Sequence, residues 1–270
     1  MQTNPFATEA AEYTHLRPTY PDNLFEFLAT ILASRNIAWD CATGNGQAAT
    51  HLARHFGQVI ATDESGEMIA QAPRDPRITY WVAEAEDCDI EDHLVDLVTV
   101  ASAIHWFDLD RFYAEVRRVV KSGGVIAAWI YYTPVFGSAI DAVISRLVHD
   151  ILGAYWDKRL HYVVDEFHDL PFPFEPIEAP PFQTDTKWDM QDLLAYFETW
   201  SSSVKYRRSA RPGSRSTTVG LSPAGPHTIA CLGRSSGYAT TTRSGAARYP
   251  CRCFYTPRTT VVFGLTPAVP

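Results

Sequence analysis

One stretch, IAWDCATGNGQAATHLARHF at residues 37–56, constrains the fold more than any other part of the chain. It runs from an apolar segment through a turn of small residues into an amphipathic helical pattern. Gly44, Gly46 and Ala49 fit the spacing G-x-G-x-x-[GA], in which small residues let a ligand approach the backbone at a helix N-terminus. Such strand–turn–helix units build parallel sheets, so the stretch predicts an α/β fold.

The surrounding sequence repeats this alternation of apolar runs and helical patterns. It predicts a doubly wound, Rossmann-like, mostly parallel sheet with helices on both faces and a small helical insertion after the fifth strand. We expect Ser122-Gly123-Gly124 to end the helix before that strand. The predicted strands are NIAWDCA (36–42), QVIATD (58–63), RITYWVA (77–83), LVDLVTVASAI (94–104), VIAAWIYY (125–132) and FQTDTKW (182–188).

Charge is distributed unevenly along the chain. All 31 acidic residues lie in the first 198 residues, together with 13 of the 23 basic ones, although the net charge of the whole chain is only −8. An acidic body is unsuited to nucleic acid or to an anionic membrane surface, and we expect neither as a partner. The N-terminal residues lack a signal-peptide pattern and the five cysteines lack a disulfide pattern, which together predict a cytoplasmic protein.

The end of the chain differs in composition from the rest. Its last 72 residues contain no acidic residue and are rich in Ser, Thr, Gly, Pro and Arg. Two interpretations remain open for this segment: a disordered basic tail, or a shifted reading frame that replaces the natural end of the domain. We therefore divide the chain into a domain at 1–203, with a helical substrate insertion at 133–180, and a tail at 204–270. Within the tail, TTVVFGL (259–265) is apolar enough to add as an edge strand.

The acidic residues around the glycine turn distinguish between two cofactor classes. In a dinucleotide enzyme the turn holds a pyrophosphate, whose negative charge Asp40, four residues before Gly44, would repel. S-adenosylmethionine has no phosphate, and a nearby carboxylate favours its cationic sulfonium and ammonium groups. Asp63 ends the second predicted strand, where a carboxylate accepts hydrogen bonds from ribose hydroxyls in either class. The residues favour S-adenosylmethionine over NAD, and an NAD-dependent oxidoreductase remains the alternative.

The whole pattern resembles the class I S-adenosylmethionine-dependent methyltransferases, in the type 11 domain group that includes trans-aconitate-methyltransferase-like proteins. The order and spacing of the matching segments are far more specific than an isolated glycine motif. One departure is Ala42, which stands where the family has glycine and narrows the approach to the methionine portion of the cofactor. The matching segments are YTHLRPTYP (13–21), WDCATGNGQAA (39–49), ATDESGEMIAQA (61–72), VAEAED (82–87), VDLVTVASAIHWFD (95–108), FYAEVRRVVKSGGVIAAW (112–129) and TWSS (199–202).

The resemblance implies roles for individual residues of this chain. Asp40 and the glycines surround the methionine portion, Asp63 binds the ribose, and Glu84 borders the adenine. Tyr20 joins two further N-terminal residues in a lid over the cofactor, and Arg17 is a candidate for pairing with an anionic substrate group. The implied cofactor-binding residues are Tyr13, Arg17, Asp40, Ala42, Gly44, Gly46, Asp63, Ser65, Met68, Glu84, Ala85 and Ser102.

The implied reaction is transfer of a methyl group to a small molecule. A carboxylate acceptor is already ionised at neutral pH, whereas a hydroxyl or amine needs a general base. His105 is the candidate base, and the ring of Trp106 is a candidate to stabilise the sulfonium cation. A second alternative is a catalytically inactive S-adenosylmethionine-binding protein, because nothing after Tyr206 resembles the end of the family domain.

Two groups of residues have more than one interpretation. His161, Asp165 and His168 share a helical face, but their spacing differs from H-E-x-x-H, and we expect no metal site. Three aromatic residues either belong to the core or line the substrate pocket, and the sequence leaves both open: Trp156, Tyr162 and Phe167. The sequence also gives no indication of the oligomeric state.

Overall fold

A computed structural model describes residues 18–131, 135–164, 167, 169–210, 248–255 and 260–264. Their strands are β1 (Ile37–Cys41), β2 (Gln58–Asp63), β3 (Ile78–Val82), β4 (Val95–Ala101), β5 (Val120–Trp129), β6 (Glu175–Ile177), β7 (Phe182–Asp189), β8 (Arg248–Tyr255) and β9 (Thr260–Gly264). Seven of them form one sheet in the order β3-β2-β1-β4-β5-β9-β6. β1 to β5 pair in parallel, and β9 pairs antiparallel with both β5 and β6. The predicted mostly parallel sheet is confirmed.

Helices cover both faces of this sheet. They are α1 (Asp22–Thr30), α2 (Gln47–Leu52), α3 (Gly66–Ile69), α4 (Leu109–Val119), α5 (Ser138–Arg146), α6 (His161–Val164), α7 (Met190–Glu198) and α8 (Ser201–Ser209). Shorter helical turns span Ile104–Trp106, Gly153–Tyr155 and Lys158–Leu160, and a π-helical turn spans Leu147–Ile151. The helices after β5 confirm the predicted helical insertion. No helix within the described ranges is both long and apolar enough to cross a bilayer.

Alternation along the central strands creates two separate cores. Ala38 of β1 and Leu97 of β4 pack in a cluster that contains the apolar residues of α1 and α2. The next residue on each strand, Trp39 and Val98, packs in a second cluster with the apolar residues of α4. Because successive side chains of a strand point to opposite faces, both faces of β1 and β4 are buried. This double burial accounts for the continuous apolar run of β4.

The boundary between α4 and β5 differs from the prediction. We expected Ser122-Gly123-Gly124 to end the helix, but α4 already ends at Val119 and these residues lie within β5. A Cβ at Gly124 would lie 2.5 Å from Cγ1 of Val120 in the same strand and 3.0 Å from the carbonyl oxygen of Asp96 on the neighbouring strand. The glycine is therefore explained by these close contacts instead of a helix terminus.

The predicted sixth strand exists but belongs to another sheet. β7 pairs antiparallel with β8 in a two-stranded sheet, outside the main one. Trp188 of β7 packs in a third apolar cluster with residues of α7, and Leu152 after the π-helical turn belongs to the same cluster. The terminal position in the main sheet belongs to β6, which is paired to β9 along one side.

The segment predicted as a tail contributes to the fold at three places, which are the end of helix α8, the strand β8 that pairs with β7, and the strand β9. Helix α8 continues past residue 203, where we placed the domain boundary. β9 lies between β5 and β6, so residues 260–264 of this segment form an interior strand and not the edge strand we expected. An apolar β-branched sequence suits this interior position, since the strand pairs on both sides. Residues 211–247 lie outside the described part of the chain.

Candidate functional site

A cavity of about 710 Å³ lies at the carboxyl ends of the central strands. Loops that follow β1 to β5 supply most of its wall, as expected for the ligand site of an open parallel sheet. Helix α8 and the turns after the π-helix supply the remainder. The lining residues are Pro18, Tyr20, Ala42, Thr43, Gly44, Asn45, Gln47, Ala48, Asp63, Glu64, Met68, Ala83, Glu84, Ala85, Glu86, Ala101, Ser102, Ala103, Trp106, Phe107, Tyr131, Asp157, Arg159, Ser201, Val204, Lys205 and Arg208.

The glycine turn after β1 has an unusual backbone. Ala42, Gly44 and Gly46 have φ angles of 53°, 58° and 81°, in the left-handed region that favours glycine. At Gly46 a Cβ would also lie 2.6 Å from the Tyr80 hydroxyl oxygen, so no larger residue fits without a shift. Ala42 and Gly44 line the cavity, whereas Gly46 lies behind them at the start of α2. Gly46 thus shapes the turn and does not contact the cavity.

Asp63 fixes the turn to the end of β2. One carboxylate oxygen accepts a hydrogen bond from the Gly44 amide at 2.8 Å, and the other accepts one from the Ser65 amide at 2.9 Å. Partial burial raises the pKa of this carboxyl, and the two amides oppose the shift. Each carboxylate oxygen has a second lone pair, so Asp63 can still accept hydrogen bonds from a ligand in the cavity.

Asp40 lies beneath the turn and outside the cavity wall. Its side chain is fully buried and accepts hydrogen bonds from the hydroxyls of Thr43 at 2.6 Å and Thr99 at 2.8 Å. Burial raises its pKa to about 6, and the charge of Asp63 acts in the same direction. Asp40 therefore has no direct contact with the cavity, and any effect on a cationic ligand acts through space.

The residues predicted near the adenosine divide into two groups. Met68, Glu84 and Ala85 line the cavity, as does the neighbouring Ala83, whose amide donates to the carbonyl oxygen of Asp63. Ser65 does not line it. Its hydroxyl caps α3 by accepting from the Met68 amide at 3.3 Å, so its role in the structure is to position Met68.

The residues after β4 also divide between wall and core. Ser102 lines the cavity with a φ of 59°, and its amide donates to the carbonyl oxygen of Trp129. Trp106 lines the cavity too. His105 is only 5% exposed and is absent from the wall; burial lowers its pKa to about 4, with a further contribution from the charge of Arg159. At neutral pH this imidazole is therefore uncharged, and it does not form part of the cavity wall.

Sequence reasoning missed a cationic part of the wall. The Arg159 guanidinium lies 4.5 Å from the centroid of the Trp106 ring and pairs with Asp157, while Lys205 and Arg208 come from α8. No motif marks Arg159. The spacing of Ser201, Val204, Lys205 and Arg208 on one helical face was a usable signal, but it lies at the domain boundary we had drawn.

The remaining candidates have simpler outcomes. Tyr20 lines the cavity, while Tyr13 and Arg17 lie outside the described residues, as do Asp165 and His168. No group of three His, Cys, Asp or Glu residues with metal-binding geometry occurs in the described segments. The aromatic residues that had two interpretations pack in the apolar clusters and are absent from the cavity wall: Trp156, Tyr162 and Phe167.

Comparisons with known proteins agree on one family. The model described as "Methyltransferase domain" matches residues 39–128. A Dictyostelium discoideum protein, provisionally named a methyltransferase, is 30% identical over 205 residues, which cover 74% of this chain and 78% of the relative. A Saccharomyces cerevisiae protein, provisionally named an S-adenosylmethionine-dependent methyltransferase, is 33% identical over 137 residues, about half of either chain.

One solved structure extends the similarity over nearly the whole chain. It is from Anaeromyxobacter dehalogenans and is provisionally described as a type II methyltransferase. The two sequences are 36% identical, and the TM-score is 0.75 over 93% of this chain and 99% of the other. At this identity and coverage the similarity extends beyond the fold to the sequence of the domain.

Proposed function

The chain belongs to the class I S-adenosylmethionine-dependent methyltransferases, and on this premise we propose that it methylates a small-molecule acceptor at a carboxylate. The observation that carries the choice of acceptor is that His105, the candidate base, is buried and absent from the cavity wall, and the observation that supports the cofactor is the position of Asp63. Its carboxylate lies in the wall of a cavity beside a glycine turn, with lone pairs available for two ribose hydroxyls.

The cavity residues fit the chemical parts of the cofactor. We assign Asp63 to the ribose, Met68 and Ala85 to the adenine, and Ala42 with Gly44 to the methionine portion. The acidic side chains on this side of the wall suit a ligand with cationic groups and without phosphate. When bound, S-adenosylmethionine supplies a methyl group activated by its sulfonium.

The chain itself contributes alignment and exclusion of water. Trp106 presents an aromatic ring to the cavity, which stabilises a nearby cation and forms an apolar surface around the reacting atoms. Methyl displacement has a good neutral leaving group, so fixing nucleophile, carbon and sulfur in line is the main requirement.

The absence of His105 from the cavity wall favours a carboxylate acceptor. Its buried ring, with a pKa of about 4, is a poor base at neutral pH, and its Nδ1 has no hydrogen-bond partner among the described residues. A carboxylate needs no proton removed before it attacks. The wall cations Arg159, Lys205 and Arg208 also suit an anionic acceptor.

We also propose that the protein works in the cytoplasm. Cys41 and Cys88 are free and buried thiols, which suits a reducing compartment. The NAD-dependent oxidoreductase would use the same glycine turn and Asp63, but the methyltransferase relatives disfavour it. The catalytically inactive binding protein is distinguished from an enzyme by the transfer experiment below.

Two experiments test the proposed function. Calorimetric titration with S-adenosylmethionine and, separately, with NAD should show binding of the first alone. Incubation with methyl-labelled S-adenosylmethionine and a panel of small carboxylic acids should then give base-labile methyl esters. Binding of NAD instead of S-adenosylmethionine, or binding without transfer to any carboxylic acid, would contradict the proposal.

A further inference from the structure

One face of helix α8 forms part of the cavity wall. Ser201, Val204, Lys205 and Arg208 all line the cavity, and their spacing of three, one and three residues places them on the same helical face. The other side of the helix is fixed by packing. Ser202 is fully buried, and the ring of Tyr206 lies 5.3 Å from that of Tyr155 in an edge-on arrangement. The helix therefore presents Lys205 and Arg208 to the cavity in a defined orientation.

These two cations are only partly neutralised by the protein. Asp157 accepts from the Arg159 guanidinium at 3.1 Å and 3.3 Å, and lies 3.9 Å from the Lys205 ammonium. No hydrogen bond or ion pair joins Arg208 to another residue in the part of the chain that the structure describes. Arg159 and Lys205 thus share the Asp157 carboxylate, and Arg208 adds a third positive charge to the same part of the wall, which leaves capacity for an anionic ligand.

We infer that Lys205 and Arg208 bind an anionic group of the acceptor, and that this group is a different one from the group that receives the methyl. This inference rests on the proposed function. An ion pair with the attacking oxygen would stabilise its charge and reduce its nucleophilicity. Cations that hold a remote carboxylate or phosphate instead orient the acceptor without this effect. The pair is thereby a determinant of specificity: it selects acceptors that carry an anionic anchor in addition to the nucleophile.

The carboxylate of S-adenosylmethionine is the competing ligand for this pair. The methionine portion is assigned to Ala42 and Gly44, which follow β1. Lys205 lies instead beside Asp157, which pairs with Arg159. The Arg159 guanidinium in turn lies over the ring of Trp106, which follows β4. The helix face therefore lies on the Trp106 side of the cavity, away from the residues assigned to the methionine portion, and we assign this side to the acceptor. A measurement of cofactor affinity separates the two ligands.

The test compares Lys205→Gln/Arg208→Gln with Arg207→Gln as the matched control. Arg207 is on the same helix but pairs with Glu198 at 3.4 Å and is absent from the cavity wall. The probes are acceptors with a hydroxyl, thiol or carboxylate nucleophile and a remote carboxylate or phosphate, each paired with its neutral amide analogue. Transfer from methyl-labelled S-adenosylmethionine gives kcat/KM for the anionic and the neutral acceptor of each pair. Comparing the carboxylate pairs with the phosphate pairs shows which of the two anionic groups the protein prefers.

For at least one pair, we expect kcat/KM of the wild type and of Arg207→Gln to be about 10-fold or more higher for the anionic acceptor than for its neutral analogue. The double variant should lose this difference in kcat/KM. Cofactor affinity, measured by calorimetry, should stay within about 2-fold in both variants. The inference is overturned if the wild type shows no preference, if the double variant keeps it, or if cofactor affinity falls in parallel. Failure of the wild type to bind S-adenosylmethionine would instead refute the proposed function.

Discussion

Asp40→Asn should change how the stability of the protein depends on pH. The carboxyl is fully buried, and its pKa is raised from 3.8 to about 6, mainly because burial disfavours the charge. The hydroxyls of Thr43 and Thr99 offset part of this effect. Between pH 3.8 and about 6 the folded protein holds a proton on Asp40 that the unfolded chain has lost, so this group makes stability fall as pH rises.

The size of the effect follows from the two pKa values. A change from 3.8 to about 6 corresponds to about 3 kcal/mol of unfolding free energy, present at low pH and lost once the pH exceeds the folded pKa. Burial also raises the pKa of Asp63, so this group likewise makes stability fall as the pH rises. The Arg118 side chain lowers the pKa of Glu115, so that group makes stability rise with pH. Both groups are present in the variant, so the difference between the two proteins isolates Asp40.

Urea unfolding of both proteins from about pH 4 to about pH 8 measures this difference. We expect the stability of the wild type relative to Asp40→Asn to fall by about 2.5 kcal/mol as the pH rises through this range, with most of the change below about pH 6, because the unfolded carboxyl is already partly ionised at pH 4. Parallel stability curves would show that the buried carboxyl titrates normally, and the account of its environment would be wrong.

Three further predictions concern the same cavity. Asp40→Asn should weaken the binding of S-adenosylmethionine more than the binding of neutral 5′-methylthioadenosine. The wild-type affinity for S-adenosylmethionine should rise with pH through about 6 as Asp40 ionises. Equal losses of affinity for both ligands in calorimetry would exclude a charge effect. Ala42→Gly should raise the melting temperature by about 1–2 °C, because relief of the left-handed strain at φ 53° exceeds the added entropy of the unfolded chain; a lower melting temperature would contradict this. His105→Gln should keep kcat for carboxylate methylation within about 3-fold if the variant remains folded by circular dichroism; a loss of about 100-fold or more would reinstate His105 as a base.

The sequence predicted the central fold because its signals are local. The apolar runs of β1 and β4, the glycine turn and the Asp63 position each depend on a few neighbouring residues and on strand topology. The same local reasoning could not tell that Asp40 and His105 lie in the core, because burial of these side chains depends on Thr99 and other residues that the fold brings together.

The parts that sequence reasoning misplaced are those set by contacts distant along the chain. β9 pairs with β5 although more than one hundred residues separate them, and β7 pairs with β8 across residues 190–247. Composition correctly marked a change after residue 198 but could not reveal strand partners. Arg159 reaches Trp106 from a turn without any motif, so this cationic part of the cavity wall became visible only in the structure.

The central claim is that the cavity holds S-adenosylmethionine with its ribose on Asp63. Calorimetric titration of the cofactor into wild type, Asp63→Ala and the control Asp89→Ala tests it most directly, since Asp89 is an exposed carboxylate outside the cavity wall. We predict that Asp63→Ala weakens binding by about 10–100-fold, because two ribose hydroxyls lose a charged acceptor, while Asp89→Ala binds like the wild type. Unchanged affinity in a folded Asp63→Ala protein would contradict the claim.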